Sequence, residues 1–121
     1  MKVVINDCHG GFGLSTEAFE ELIKLGWTVT EYNESGYPKD KEALLIKSND
    51  DRFDKYYFKL DNSDPELRKN KDLIFVIEKL GKKANGSYSD LSIIEIPDDV
   101  DFIIQDYDGA EWAAEKHRTW G

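Results

Sequence analysis

The apolar positions change their period along the chain, and the changes mark the elements. Lys2-Val3-Val4-Ile5-Asn6 is a short β-branched run, the pattern of a buried strand. A glycine-rich loop follows, Asp7-Cys8-His9-Gly10-Gly11-Phe12-Gly13-Leu14. Ser15 or Thr16 caps the next helix, with Glu17 at the positive end of its dipole. Ala18, Phe19, Leu22 and Leu25 recur at helical spacing, and Gly26 terminates the helix. Trp27 to Glu34 alternates and is rich in β-formers, so it reads as a strand. The opening is therefore strand, glycine loop, helix, strand.

In the middle, Gly36-Tyr37-Pro38 is a turn. Ala43 to Lys47 fits a strand or part of a helix, while Phe53 to Leu60, with Tyr56, Tyr57 and Phe58, fits a strand. The turn Asn49-Asp50-Asp51 between them allows a hairpin. Asp64-Pro65-Glu66 suits a helix start, with proline in the first helical position. Leu73-Ile74-Phe75-Val76-Ile77 is strand-like in composition, yet Leu73, Ile77 and Leu80 fit a helix ending at Gly81, and the helix is preferred. Asn85-Gly86 marks a turn; Ser92 to Pro97 and Asp101 to Gln105 read as strands joined at Asp98-Asp99. Tyr107-Asp108-Gly109 breaks the last strand, and Ala110 to Trp120 is expected to form a short C-terminal helix. The expectation is a single compact α+β domain over residues 1–121, with a mixed β-sheet and two to three packed helices. Strand order stays open.

Composition narrows the function classes. The 121 residues include 25 acidic and 16 basic side chains, a net charge of −9. Such acidity argues against coating a long nucleic acid or docking on anionic lipid. It leaves room for one small anion held by backbone amides and a few arginines. The 15 aromatic side chains suffice for a core. One cysteine allows no intrachain disulfide, no secretory leader is evident, and no apolar run approaches the length of a membrane span. The expected location is the cytoplasm.

Two segments carry candidate chemistry. A strand leading through Gly10, Gly11, Phe12 and Gly13 into a capped helix at Ser15 presents amides at a positive dipole end, an arrangement that holds a phosphate or carboxylate. It is neither a dinucleotide fingerprint nor a P-loop, and a purely structural strand-to-helix turn stands equal to the anion-binding reading. Within the loop, Cys8 is expected as a small buried residue and His9 as a polar loop residue. One cysteine and two histidines, without metal-ligand spacing, indicate no metal site and no required cofactor. At the C-terminus, a helix would place Ala110, Ala113, Ala114, His117 and Trp120 on one packing face. In a binding role, Lys116, His117 and Arg118 would supply polar or charged contacts to a phosphate, and Tyr107, Trp112 or Phe12 a stacking surface. Packing is favoured over binding for this segment. Arg52 and Arg68 are expected to be merely solvated.

Several stretches resemble a group of small phage and prophage proteins. They are Asn6 to Ser15, Ile94 to Val100, Tyr107 to Trp112 and Ala114 to Trp120, with Asp72-Leu73-Ile74, Leu80-Gly81 and Ala84-Asn85-Gly86 aligned in order. The resemblance implies a viral origin and a bacterial host cytoplasm, and brings no active-site residues with it. By analogy of gene type it implies a counter-defence factor. That factor would be an oligomeric sponge sequestering a nucleotide immune signal, such as a cyclic ADP-ribose isomer or a cyclic oligonucleotide. The expected function is therefore non-catalytic binding of a small phosphorylated nucleotide by a homo-oligomer. The ligand residues expected are His9, Gly10, Gly11, Phe12, Gly13, Ser15, Tyr107, Trp112, Lys116, His117 and Arg118. The alternatives are a small nucleotide hydrolase or phosphodiesterase using His9 or His117, and an acidic inhibitor of a host enzyme.

Overall fold

The computed structural model describes residues 1–49 and 54–116. Strand β1, Lys2–Asn6, is the organising element. Val4 packs against the helices, while Val3 and Ile5 pack on the opposite side with Phe102. A strand buried on both faces needs apolar residues without alternation, which is why this run is uninterrupted. Helix α1, Thr16–Lys24, follows the glycine loop, and Ser15 Oγ accepts a hydrogen bond from the Ala18 amide at its start. Strand β2 is only Val29–Thr30, shorter than the alternation over 27–34 suggests. It pairs parallel to β3, Leu45–Lys47, which pairs antiparallel to β4, Tyr56–Phe58. The expected β3–β4 hairpin is thus present, although Asp50, Asp51, Arg52 and Phe53 lie outside the described residues.

Helix α2, Pro65–Arg68, starts on the Asp64 cap. Helix α3, Lys71–Leu80, starts on Asn70, whose side chain accepts from the amides of Asp72 and Leu73. The apolar run at 73–77 is therefore helical: Leu73, Ile74, Val76 and Ile77 are buried, and Phe75 faces outward. Gly81 ends α3 at φ +58, and a short 3-10 helix, Gly81–Ala84, leads towards β5, Leu91–Glu95. Strand β5 runs antiparallel to β1. The main core lies between α1, α3 and the three-stranded sheet, with Leu22, Leu45, Leu73 and Val76 fully enclosed. Trp27 closes one side, its indole N–H donating to Asp72 at 2.8 Å.

Two features differ from the pattern-based reading. Among the described residues, strand pairing is divided among three small sheets, of which only β2-β3-β4 is mixed. Where the pattern predicts a C-terminal helix over Ala110 to Trp120, residues 110–115 form a strand instead: Phe102–Tyr107 and Ala110–Glu115 are β6 and β7, an antiparallel hairpin, and residues 117–120 lie outside the described residues. Asp108 at φ +51 and Gly109 at φ +94 make its two-residue turn. The hairpin docks on β1 through a second, smaller core of Val3, Ile5 and Phe102, with Ile104 and Ala113 against it. No helix among the described residues is long and apolar enough to cross a membrane.

Candidate functional site

The site grows from the end of β1. Asn6 is wholly buried and ties three segments together. Its side-chain amide donates to the carbonyls of Cys8 and Gly109, at 2.7 and 2.8 Å, and its oxygen accepts from the Asp90 amide at 2.8 Å. The Asn6 backbone N–H donates to Glu111 on β7 at 2.8 Å. Glu111 in turn takes a two-pronged ion pair from Arg68, at 2.6 and 2.7 Å.

Arg68 is 1% exposed. It also donates to the carbonyls of Val4 and Asn62, and its guanidinium lies 3.7 Å from the ring centroid of Phe12. Phe12 reaches Phe58 on its other side, with centroids 6.3 Å apart. The glycine loop is therefore pinned by a cation stacked on its one aromatic side chain. The expectation of a solvated Arg68 is overturned, because helix α2 turns it inward beneath β1 and β7.

A second loop, residues 86–89, lies against the first. The Gly86 amide donates to Gly13 O and to Ser89 Oγ, and Ser89 Oγ donates to Gly13 O at 2.7 Å. The contact is closest at Gly10, where a Cβ would stand 1.8 Å from Tyr88 O. Between the loops opens a cleft of about 740 Å³, lined by Gly10 to Gly13, Gly86 to Ser89, Ser48, Asp54 and Tyr57. The amides of Gly10, Gly11, Phe12 and Gly13 donate to no acceptor among the described residues. Tyr88 is 78% exposed, and Tyr57 stands half-exposed. Partial burial, with hydrogen bonding to Tyr32, raises the Tyr57 hydroxyl above the usual tyrosine range, so it stays a neutral phenol at physiological pH. No lysine or arginine lines the cleft among the described residues. The cleft's lining is backbone of the two loops, hydroxyls and the Asp54 carboxylate, and Asp54 would disfavour an anion.

The candidate residues divide accordingly. Gly10, Gly11, Phe12 and Gly13 come together in the cleft. His9 is exposed beside it but does not line it, and its carbonyl lies against Gly109. Ser15 is a helix cap whose hydroxyl also donates to Lys83 O at 2.6 Å. Tyr107, Trp112 and Lys116 belong to the hairpin segment and do not line the cleft; Lys116 borders a separate depression with Asp64 and Phe102. The helical face expected from Ala110, Ala113 and Ala114 is absent, since β7 alternates its side chains and sets Ala113 on the face opposite Ala110 and Ala114. His117, Arg118 and Trp120 lie outside the described residues. Cys8 is half-buried, with Sγ donating to Tyr88 O at 3.1 Å. No cluster of three metal-ligating side chains is found among the described residues. Sequence reasoning missed the second wall, Ser87, Tyr88 and Ser89, and also Tyr57; only the Asn85-Gly86 turn signalled a loop there. Comparison with protein-family models, curated proteins and solved structures finds no match to this chain.

Because the cap satisfies the Ala18 amide and bridges to Lys83, Ser15→Ala should destabilise the protein by about 1 kcal/mol. A urea midpoint that does not fall would contradict this role.

Proposed function

We propose that the protein binds a small phosphorylated nucleotide in the cleft between the two loops, without transforming it. The observation that carries this reading is the row of four loop amides without acceptors among the described residues, beside two accessible tyrosines. Neutral amides hold phosphate oxygens without placing a buried cation, as at other glycine-rich turns. Tyr57 and Tyr88 offer ring faces and hydroxyls to a base and sugar. The cleft is large enough for a dinucleotide-sized ligand. Binding is favoured over catalysis because His9, the acid or base of the hydrolase alternative, does not line the cleft. In this reading Arg118, Lys116 and Trp112 are no longer required as ligand contacts. The resemblance to phage proteins supplies the ligand class, a cyclic ADP-ribose isomer or cyclic oligonucleotide acting as an immune signal in a bacterial host.

Calorimetry against a panel of these nucleotides tests the reading. The expected result is a member bound with submicromolar Kd and recovered intact when the protein is heated. Absence of submicromolar binding across the panel contradicts it, and recovery of cleaved products turns the reading to the hydrolase alternative.

A further inference from the structure

The walls of the cleft differ in what they offer a ligand. Gly10 to Gly13 and the 86–89 loop bring no charge to it. The third wall, Ser48, Asp54 and Tyr57, comes from the end of the β3–β4 pair, where the Ser48 amide donates to Lys55 O at 2.8 Å. Asp54 is the one charged side chain lining the cleft among the described residues. It is exposed, and it makes no hydrogen bond or ion pair with another described residue. A carboxylate accepts and does not donate. A ligand that fills the cleft takes water from Asp54 and must supply donors in its place, or leave the charge unpaired at a cost.

A nucleotide carries its negative charge on phosphate, and its donors on sugar hydroxyls and base edges. The hydroxyls lie next to the phosphates, so a carboxylate set against them would also face phosphate charge. The base edge is furthest from that charge, and there Asp54 helps instead of hindering. Tyr57, from the same wall, gives the base a ring to stack on. Guanine alone sets two donors side by side on its pairing edge, N1–H and the N2 amine, which match the two oxygens of a carboxylate. Adenine and cytosine set one amine beside a ring acceptor, and uracil sets one N–H between two carbonyls. Each of those edges would turn an acceptor towards Asp54. Resting on the nucleotide reading above, we propose that Asp54 is a specificity-determining residue that accepts both donors of a guanine edge. The cleft then takes a guanine-bearing cyclic oligonucleotide in preference to its adenine counterpart. The phosphates sit on the glycine-loop amides, on another wall, and a ligand without the paired donors is rejected by the charge it leaves unpaired.

Calorimetry with cyclic diguanylate, cyclic di-inosinate and cyclic diadenylate tests it, on the full wild-type chain and on Asp54→Asn. The wild type is expected to bind cyclic diguanylate at least about tenfold tighter than cyclic diadenylate, the discrimination of one good bidentate contact. Cyclic di-inosinate keeps N1–H but lacks the amine, and should fall between them. In Asp54→Asn the side chain presents one acceptor and one donor, a match for the adenine edge and no longer for guanine. The preference should therefore be lost or inverted, through weaker binding of the guanine ligand and tighter binding of the adenine one. Asp54 has no partner among the described residues, so the variant should keep the wild-type circular dichroism. Equal affinities in the wild type, or a guanine preference that survives in Asp54→Asn, overturn the proposal and leave nucleotide binding in place. Equal gains for all three ligands in Asp54→Asn also overturn it, since only repulsion of phosphate would have been relieved. If these three fail to bind while a cyclic ADP-ribose isomer binds, the guanine assignment falls alone. If no nucleotide binds, the nucleotide reading falls and takes the assignment with it.

Discussion

Glu111→Ala is expected to cost about 3–5 kcal/mol of unfolding free energy, the usual penalty for breaking a buried ion pair from one side. Arg68 is 1% exposed, and with Glu111 gone its guanidinium keeps only the carbonyls of Val4 and Asn62 and the Phe12 ring. The Asn6 amide loses its acceptor in the same step. For a domain whose total stability is of the order of 5–15 kcal/mol, such a loss approaches unfolding. Arg68→Met combined with Glu111→Leu should lie closer to the wild type than Glu111→Ala does, because it removes both charges and keeps apolar volume. Urea unfolding followed by circular dichroism measures all three chains. A loss below about 1 kcal/mol in Glu111→Ala would mean that the pair is not the clamp described here.

The glycine loop provides the second large effect, and it separates structural glycines from the others. At Gly10 a methyl group would overlap the Tyr88 carbonyl at 1.8 Å, and backbone cannot yield as a flexible side chain does. Gly10→Ala should therefore push the two loops apart, break the Cys8 to Tyr88 contact and destabilise the fold by about 2–3 kcal/mol. Gly109→Ala should behave similarly, since its Cβ would stand 2.5 Å from His9 O on a backbone at φ +94. At Gly13 a Cβ meets no protein atom within 4 Å, and φ is ordinary. Gly13→Ala should leave stability within about 0.5 kcal/mol of the wild type. It should nevertheless weaken nucleotide binding, because a ligand on the loop amides would meet the added methyl. Thermal unfolding and calorimetry on the same three variants check the pattern. Equal melting temperatures for Gly10→Ala and Gly13→Ala would contradict it.

Much of the fold was legible because local signals and burial agreed. The β-branched run of β1, the Ser15 and Asp64 helix starts, and the β3–β4 pairing all act within a few residues of their cause. The C-terminal segment shows where this fails. Ala110 to Lys116 is rich in alanine, glutamate and lysine, all compatible with a helix, and alanine on both faces of β7 hides the alternation. The stronger signal was Asp108-Gly109, a dipeptide suited to positive φ at both turn positions, which makes a hairpin and not merely a break. Half of the cleft was visible as the glycine loop. The other wall, 86–89, lies far along the chain, with Ser89 76 residues beyond its partner Gly13, and the antiparallel pairing of β1 with β5 brings it there. Arg68 was hidden for the same reason: its partner, Glu111, is 43 residues away.

In the function proposed above, the amides of the glycine loop hold a small phosphorylated nucleotide. Titrating cyclic ADP-ribose or a cyclic diadenylate into ¹⁵N-labelled protein, and following the backbone amide resonances, tests it at the atoms concerned. Gly10, Gly11, Phe12, Gly13 and the 86–89 segment are expected to shift together, while Ile103, Trp112 and Ala114 on the hairpin do not. Shifts confined to the hairpin, or none at the loop amides with every nucleotide tried, would contradict it.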